Sequence, residues 1–202
     1  MSTLELIRYW LALIFVVAWP AGFSIWFVIH PFAAGWQRAG PVWAYASAAA
    51  VALLIGAAVI LVREPLLSVE FGAHPLMLGT GGLLLVVAQI LDLWVLRYLR
   101  FPVLVGLPEL RANHPASGLL TAGPYALVRH PRYSTLMLGL FGVALVSNYL
   151  AIHLLAMLML PLINLLARLE ERELIKRFGD DYRRYAEQTP RFIPRPGRVD
   201  RA

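Results

Sequence analysis

Residues 133–167 read YSTLMLGLFGVALVSNYLAIHLLAMLMLPLINLLA and contain neither Lys nor Arg. A helix that crosses a bilayer needs about 20 mostly apolar residues, because no water is there to satisfy its backbone. Here two apolar runs, Ser134–Val146 and Leu150–Leu166, each fall short of that length and meet at Ser147-Asn148. Their brevity and the polar junction predict a helical hairpin. Toward the N-terminus lie three longer runs, Pro75–Leu96, Trp43–Val62 and Leu6–His30. Gly79, Gly81 and Gly82 in the first of these are available for close helix contact, and Pro20 with Gly22 in the last predicts a kink. The fold class is therefore all-α: a polytopic integral-membrane helical bundle of about five transmembrane helices, including the short hairpin, with a C-terminal cytosolic amphipathic helix and an extended tail.

Composition agrees with this class. Hydrophobic residues occupy 59% of the 202 positions and charged residues 15%, against roughly 45–50% and about 25% in soluble domains. The absence of cysteine excludes disulfides, thiolate zinc sites, a cysteine nucleophile and covalent haem attachment. The His and carboxylate positions have no metal-binding spacing, so no metal is expected. The net charge of +6 has the sign of a nucleic-acid binder, but its distribution argues otherwise. Of 18 Lys and Arg residues only Arg8, Arg38 and Arg63 precede residue 97; the rest fall in two groups, Arg97 to Arg132 and Arg168 to Arg201. With five spans the two chain ends lie on opposite sides, and the positive-inside rule puts the basic groups and the C-terminus in the cytoplasm and the N-terminus outside. The basic C-terminal face then meets anionic membrane lipids, and no nucleic-acid partner is expected. A cleaved signal peptide is not expected either, because the first run is too long and lacks a basic leader. No pattern in the chain speaks to oligomeric state.

Two segments beside the hairpin carry chemistry. The first is Gly118-Leu-Leu-Thr-Ala-Gly-Pro-Tyr-Ala-Leu-Val-Arg-His-Pro-Arg-Tyr133. Gly123-Pro124 marks a turn, and Pro131 stands where proline opens a helix, which puts His130 at the N-cap. The first N–H groups of that helix, beside Arg129, make a site for a carboxylate or phosphate. Membrane anchoring is the competing use, with Arg129 and Arg132 on lipid phosphates and the tyrosines in the interfacial belt. The second segment runs from Arg168 to Tyr185. Glu170, Leu174 and Phe178 recur at i, i+4 and i+8, so Glu170 points along the apolar stripe, where a carboxylate needs a partner. Glu171 lies one position round, in line with Ile175 and Tyr182, and Glu173 is free to pair with Lys176 or Arg177. The competing use of Glu170 and Glu171 is to complement a helix dipole. Gly179 ends the helix, Asp180 and Asp181 restart a turn, and Pro190, Pro194 and Pro196 keep the tail extended. Asp92, an acid within the third span, reads as a functional group or as a structural partner of Arg97 or Arg100. His153 reads as a helix-to-helix hydrogen bond. Trp10, Trp26, Trp36, Trp43 and Trp94, near span ends, read as interface anchors.

Together, Gly123-Pro-Tyr, Arg129-His-Pro-x-Tyr133, the short hairpin, Glu170-Glu171, Phe178-Gly179-x-x-Tyr182 and Pro190-Arg-x-Ile-Pro194 resemble the isoprenylcysteine carboxyl methyltransferase and phospholipid methyltransferase superfamily, over roughly residues 117 to 196. The resemblance implies an integral-membrane methyltransferase that binds S-adenosylmethionine in a cytosol-facing pocket roofed by the C-terminal segment, with a lipophilic acceptor entering from the bilayer. It implies spans one to three in residues 1–100 and a catalytic region in 101–202, made of a cofactor-binding connector 101–133, the hairpin 134–167 and a helix and tail 168–202, in one integrated domain. Carried over position by position, Leu119, Leu120 and Tyr125 match cofactor-pocket positions, His130, Pro131 and Tyr133 match the core cofactor motif, and Glu170 matches the acidic cofactor ligand. Arg129 joins the cofactor-binding set on charge. For an amine acceptor, which must lose a proton, Tyr133 and Glu171 are the candidate catalytic groups, with Asp92 or a bound water as further options.

Two positions depart from the family pattern. A His stands six residues before Gly-x-Tyr in the family, where this chain has Ser117, with His114 nearby. The isoprenylcysteine enzymes place an Arg four residues before the acidic ligand, where this chain has Leu166. Arg168, two positions on, points about 200° away on a helix, which argues against a prenylcysteine carboxylate, while the acceptor stays open among a prenylcysteine-type carboxylate, a phospholipid amine and a thiol. Two rival functions stand beside the methyltransferase. A membrane NADPH-dependent reductase of sterol-reductase-like architecture would have to place Glu170 and Glu171 beside a pyrophosphate, which is unfavourable. A non-enzymatic membrane accessory protein would use the basic tail only to grip anionic lipid.

Overall fold

Ser2 opens the first helix with a reciprocal cap: its hydroxyl accepts from the Glu5 N–H at 3.2 Å, and the Glu5 carboxylate accepts from the Ser2 N–H at 2.7 Å. The computed structural model describes residues 2–99, 110 and 118–195. Its helices are α1 (Thr3–Ile29), α2 (Ala33–Ala39), α3 (Pro41–Leu61), α4 (Arg63–Leu66), α5 (Pro75–Leu96), α6 (Pro124–Leu127), α7 (Pro131–Ser147), α8 (Leu150–Phe178) and α9 (Asp180–Gln188). Among the described residues there is no strand, only one isolated antiparallel bridge between Glu70 and Tyr149. Ser117, His114, Arg100 and Pro196 lie outside the described residues.

Four helices, α1, α3, α5 and α8, are long and apolar enough to cross a bilayer. The fifth expected span is α7, at 17 residues the short arm of the hairpin. Asn148 makes the hairpin turn in the left-handed conformation, at φ +56°, which Asn tolerates because its short amide bonds locally. α1 continues through Pro20. The second arm of the hairpin does not stop near Leu166; α8 runs on to Phe178, so the amphipathic helix expected from Arg168 is the emergent end of a membrane helix. The physical reason is that Arg168-Leu-Glu-Glu-Arg-Glu-Leu174 are all good helix formers, with no breaker before Gly179. Gly179, at φ +56°, ends α8. Asp180 and Asp181, expected to form a turn, instead sit in the first turn of α9 and pair with Arg183 and Arg184, a placement favoured by the helix dipole.

The core lies where α1, α7 and α8 meet, with Ala12, Val16, Leu140, Val143, Ile152, Ala156 and Met159 buried together. Leu53, Leu54, Leu61, Leu83, Ile90 and Leu154 point outward and stay exposed, as lipid-facing side chains do. α5 packs on α7 through two glycines. A Cβ on Gly81 would lie 2.8 Å from the Gly142 carbonyl oxygen, and one on Gly142 would lie 2.9 Å from Leu85 Cγ. Gly79 and Gly82 meet nothing within 4 Å, so of the three glycines available for close contact, Gly81 alone makes it.

Each end of the bundle has its own polar lock. At the hairpin-turn end, Arg8 is 1% exposed, pairs with Glu70 at 2.6 Å and donates to the Ser147 carbonyl at 2.8 Å. His153 bonds the Asn148 side chain at 3.1 Å across that turn, within the hairpin rather than between packed spans. Asp92, in α5, accepts from the Thr135 hydroxyl of α7 at 3.1 Å. The opposite end of the bundle gathers the end of α1, the start of α7 and the end of α8. Replacing Gly81 with Leu is expected to cost about 1–3 kcal/mol by overpacking, read as a lower melting temperature in detergent, whereas Gly79→Ala and Gly82→Ala leave it unchanged or slightly raised. Equal melting temperatures for all three variants would contradict the α5–α7 contact.

Candidate functional site

The site begins with backbone conformation. Gly123 has φ +60° and ψ −129°, a conformation that L side chains rarely adopt, and a Cβ there would meet the Tyr98 ring. One helical turn, α6, follows, and Val128 is extended at φ −145°, ψ 152°. His130 is the N-cap of α7 and Pro131 its first residue, as the sequence predicts. The extended stretch pairs with the C-terminal tail. Arg129 N–H donates to the Pro190 carbonyl at 2.8 Å, His130 N–H to the Arg191 carbonyl at 3.0 Å, and the Ser134 hydroxyl to the Phe192 carbonyl at 2.8 Å.

Glu171 is the hub of this arrangement. Its carboxylate accepts from Arg129 Nε at 3.0 Å, from Arg191 Nε at 3.0 Å and Nη2 at 2.6 Å, and meets His130 Nε2 at 3.1 Å. Arg129 also donates through Nη1 to the Ala186 and Thr189 carbonyls, each at 2.6 Å. The other imidazole nitrogen, His130 Nδ1, lies 3.5 Å from Glu170 Oε2. The ring stacks on Tyr133 at 5.5 Å and 19°. Burial pulls the His130 pKa down, but hydrogen bonds and charge from Glu170 and Glu171 outweigh it and hold it above the ordinary 6.5. As an imidazolium it presents an N–H to each carboxylate. Burial, and then the Glu170 charge, push the Tyr125 hydroxyl well above its usual range, so it serves as a neutral phenol.

A cavity of about 130 Å³ opens beside this hub, lined by Phe23, Trp26, His30, Leu99, Tyr125, Arg129, His130, Arg132, Tyr133, Leu136 and Glu170. The expected residues Tyr125, Arg129, His130, Tyr133 and Glu170 are thus brought together. Leu119 and Leu120 are half-buried and do not line it. Pro131 faces a second, apolar cavity of about 240 Å³ on the other side of α7, with Leu91, Trp94, Leu138 and Phe192. Glu171 lies behind the wall, with its oxygens engaged by its three cationic partners, so it is not disposed to act as a base. Arg129 also differs from expectation: its guanidinium is committed to Glu171 and two carbonyls, and the nitrogen without a hydrogen bond is Arg132 Nη1. Opposite in charge, Glu170 Oε2 is closed off from solvent and also lacks a hydrogen-bond partner, although the side chain as a whole is 31% exposed.

Sequence reasoning gave Arg132 to lipid phosphate and missed its place in the cavity wall, and it missed the contribution of α1. Arg132, the second residue of α7, stood beside the quoted motif. Trp26, read as an interface anchor, lines the cavity and stacks on His30 at 5.4 Å. Glu173 pairs with His30 Nδ1 at 2.9 Å instead of with Lys176 or Arg177, because α8 turns that face toward the end of α1. Among the described residues no group of three His, Asp or Glu is placed to hold a metal.

His130 gives the site a pH dependence. With its folded-state pKa above 6.5, its protonation adds stability that is fully present below the free-imidazole value and is lost as pH rises through the folded-state value. Melting temperature in detergent is therefore expected to fall as pH is raised above the free-imidazole value, and His130→Gln to flatten that fall. A parallel decline in both proteins would contradict the assignment.

A 122-residue stretch is 31% identical to the cobalt-zinc-cadmium resistance protein CzcN of Cupriavidus metallidurans, covering 60% of this chain and 50% of that protein. The chain thus spans about half the length of the curated relative it matches. No solved structure matches. Residues 76–181, just over half of the chain and including the connector, the hairpin and both glutamates, match the phospholipid methyltransferase family. An all-helical, multi-pass integral membrane protein, the chain belongs to the phospholipid methyltransferase family, within the isoprenylcysteine carboxyl methyltransferase-like superfamily.

Proposed function

We propose that the protein is a membrane methyltransferase that uses S-adenosylmethionine and acts on a lipophilic acceptor from the bilayer. The observation that carries this reading is the pair of opposite charges that line one cavity: Arg132, whose Nη1 has no hydrogen-bond partner, and Glu170, held by an ion pair to His130 at 3.5 Å. The amino-acid end of such a donor carries both charges. Arg132 and the first N–H groups of α7 suit its carboxylate, and Glu170 suits its ammonium or ribose hydroxyls. The volume of about 130 Å³ matches that end of the molecule rather than the whole, and Leu119 and Leu120 remain proposed for the adenosine side.

Bound there, a sulfonium donor supplies a methyl whose bonding pair returns to sulfur when the acceptor's lone pair displaces it. The protein's own contribution is alignment and exclusion of water. His130 orients Glu170, and Glu171 orients His130. Tyr133 lines the pocket and acts on the Glu170 carboxyl, and it is the remaining candidate to face the acceptor. Leu166, at the register where the isoprenylcysteine enzymes have an Arg, is 0% exposed, and Arg168 is turned out to solvent. That favours an amine or thiol over a prenylcysteine carboxylate as acceptor.

Orientation follows from charge. Arg8 and Arg63 lie at the hairpin-turn end, whereas Arg129, Arg132, Arg172, Lys176, Arg177, Arg183, Arg184 and Arg191 lie at the site end, which supports a cytoplasmic site and C-terminus, an outer N-terminus and anionic lipid at the basic face. Calorimetric titration of the detergent-purified protein with S-adenosylhomocysteine is expected to give binding that weakens about 10- to 100-fold in Arg132→Gln and in Glu170→Gln, the value of a charge-assisted hydrogen bond of about 1.5–3 kcal/mol. Binding of a reduced nicotinamide dinucleotide instead would overturn the reading. Radiolabelled methyl transfer into a total lipid extract, compared with prenylcysteine analogues, then identifies the acceptor; efficient turnover of the analogues would refute the argument from Leu166.

A further inference from the structure

The C-terminal tail does more than cover the site. Arg191 joins it to the site by two routes. Its carbonyl accepts the His130 backbone N–H at 3.0 Å, and its guanidinium grips Glu171, the carboxylate that meets the His130 ring at 3.1 Å. The same guanidinium donates through Nη1 to Asn164 Oδ1 at 2.9 Å, nearly two turns back along α8. A planar guanidinium with donors fixed in a fork can satisfy both acceptors at once; a lysine ammonium cannot. Arg191 therefore ties tail, α8 and His130 into one closed ring of hydrogen bonds.

We infer that Arg191 is a positioning residue for His130: it shares the Glu171 carboxylate with the imidazole, and so couples docking of the tail to the geometry and charge of the pocket. The inference rests on the methyl-donor reading for its consequence in binding, but not for its effect on His130. The groups facing the imidazole are Glu170 and Glu171 from α8, Arg129 beside it in the chain, Tyr133 from α7, and Phe192 and Arg191 from the tail. His30, at the end of α1, acts on Glu170 from the other side. Removing the Arg191 charge leaves Glu171 held by Arg129 but acting more fully on His130, so the imidazole holds its proton to higher pH. By linkage, a ligand that binds only the assembled pocket protects the docked tail, and a docked tail strengthens the ligand.

The test is a titration of the imidazole signals by NMR in detergent micelles, with His130 assigned from the His130→Gln spectrum. Arg191→Gln is expected to move the His130 midpoint to higher pH, Arg191→Lys to move it less, and Arg195→Gln, an exposed charge in the same tail, to leave it in place. In calorimetry with S-adenosylhomocysteine, Arg191→Gln is expected to weaken binding at least 10-fold. An unchanged His130 midpoint in Arg191→Gln, or one that falls to the free-imidazole value, would overturn the inference. A shifted midpoint in a protein that binds no S-adenosylhomocysteine would uphold the Arg191 role and refute the donor reading instead.

Discussion

The carboxylate of Glu171 draws together three cationic side chains from three segments: Arg129 from the connector, His130 from the cap of α7, and Arg191 from the tail. The pairs are little exposed, with the Glu171 side chain at 12% and that of Arg129 at 13%, so water does little to screen them. Without Glu171, two guanidinium groups and an imidazolium would face one another in a poorly solvated space, and breaking a buried pair by removing one partner is far more costly than never having made it. The docking of the tail and the placement of His130 in the pocket wall depend on this one contact.

Glu170 and Glu171 show how a helix separates adjacent residues of the same type. A step of one residue turns the side chain by about 100°. Glu171 points into the hub and is saturated, whereas Glu170 lines the cavity, its Oε2 in an ion pair with His130 at 3.5 Å. Arg129 and Arg132 divide in the same way, the first locking the tail and the second left with a free donor. The proposed binding role falls to Arg132 and Glu170, the members of each pair that do not hold the Glu171 hub together.

The spans were legible because lipid imposes a simple rule on composition. Pro75–Leu96 was read to the residue, since proline opens the helix and the apolar run ends at Arg97. The N-cap at His130 and the hairpin turn at Asn148 were legible for the same local reasons. The continuity of α8 past Leu166 was not, because a change from apolar to charged residues signals the membrane boundary without breaking the helix. Nor was the choice between Gly81 and its neighbours, or between Arg129 and Arg132. Each of those depends on the rotation of one helix against another distant in sequence. The contribution of Phe23, Trp26 and His30 was out of reach for a stronger reason: the motifs that point to the site all lie in the second half of the chain, while this wall comes from α1.

The central claim is that one cavity is lined by two opposite charges, Arg132 and Glu170, beside the hub built on Glu171. A structure of the protein determined with S-adenosylhomocysteine tests it most directly. The account predicts the ligand carboxylate on the Arg132 guanidinium and the first turn of α7, and an amine or hydroxyl of the ligand on Glu170, with the Glu171 contacts unchanged. A ligand carboxylate seated on Arg129, with Glu171 released from it, would contradict the account.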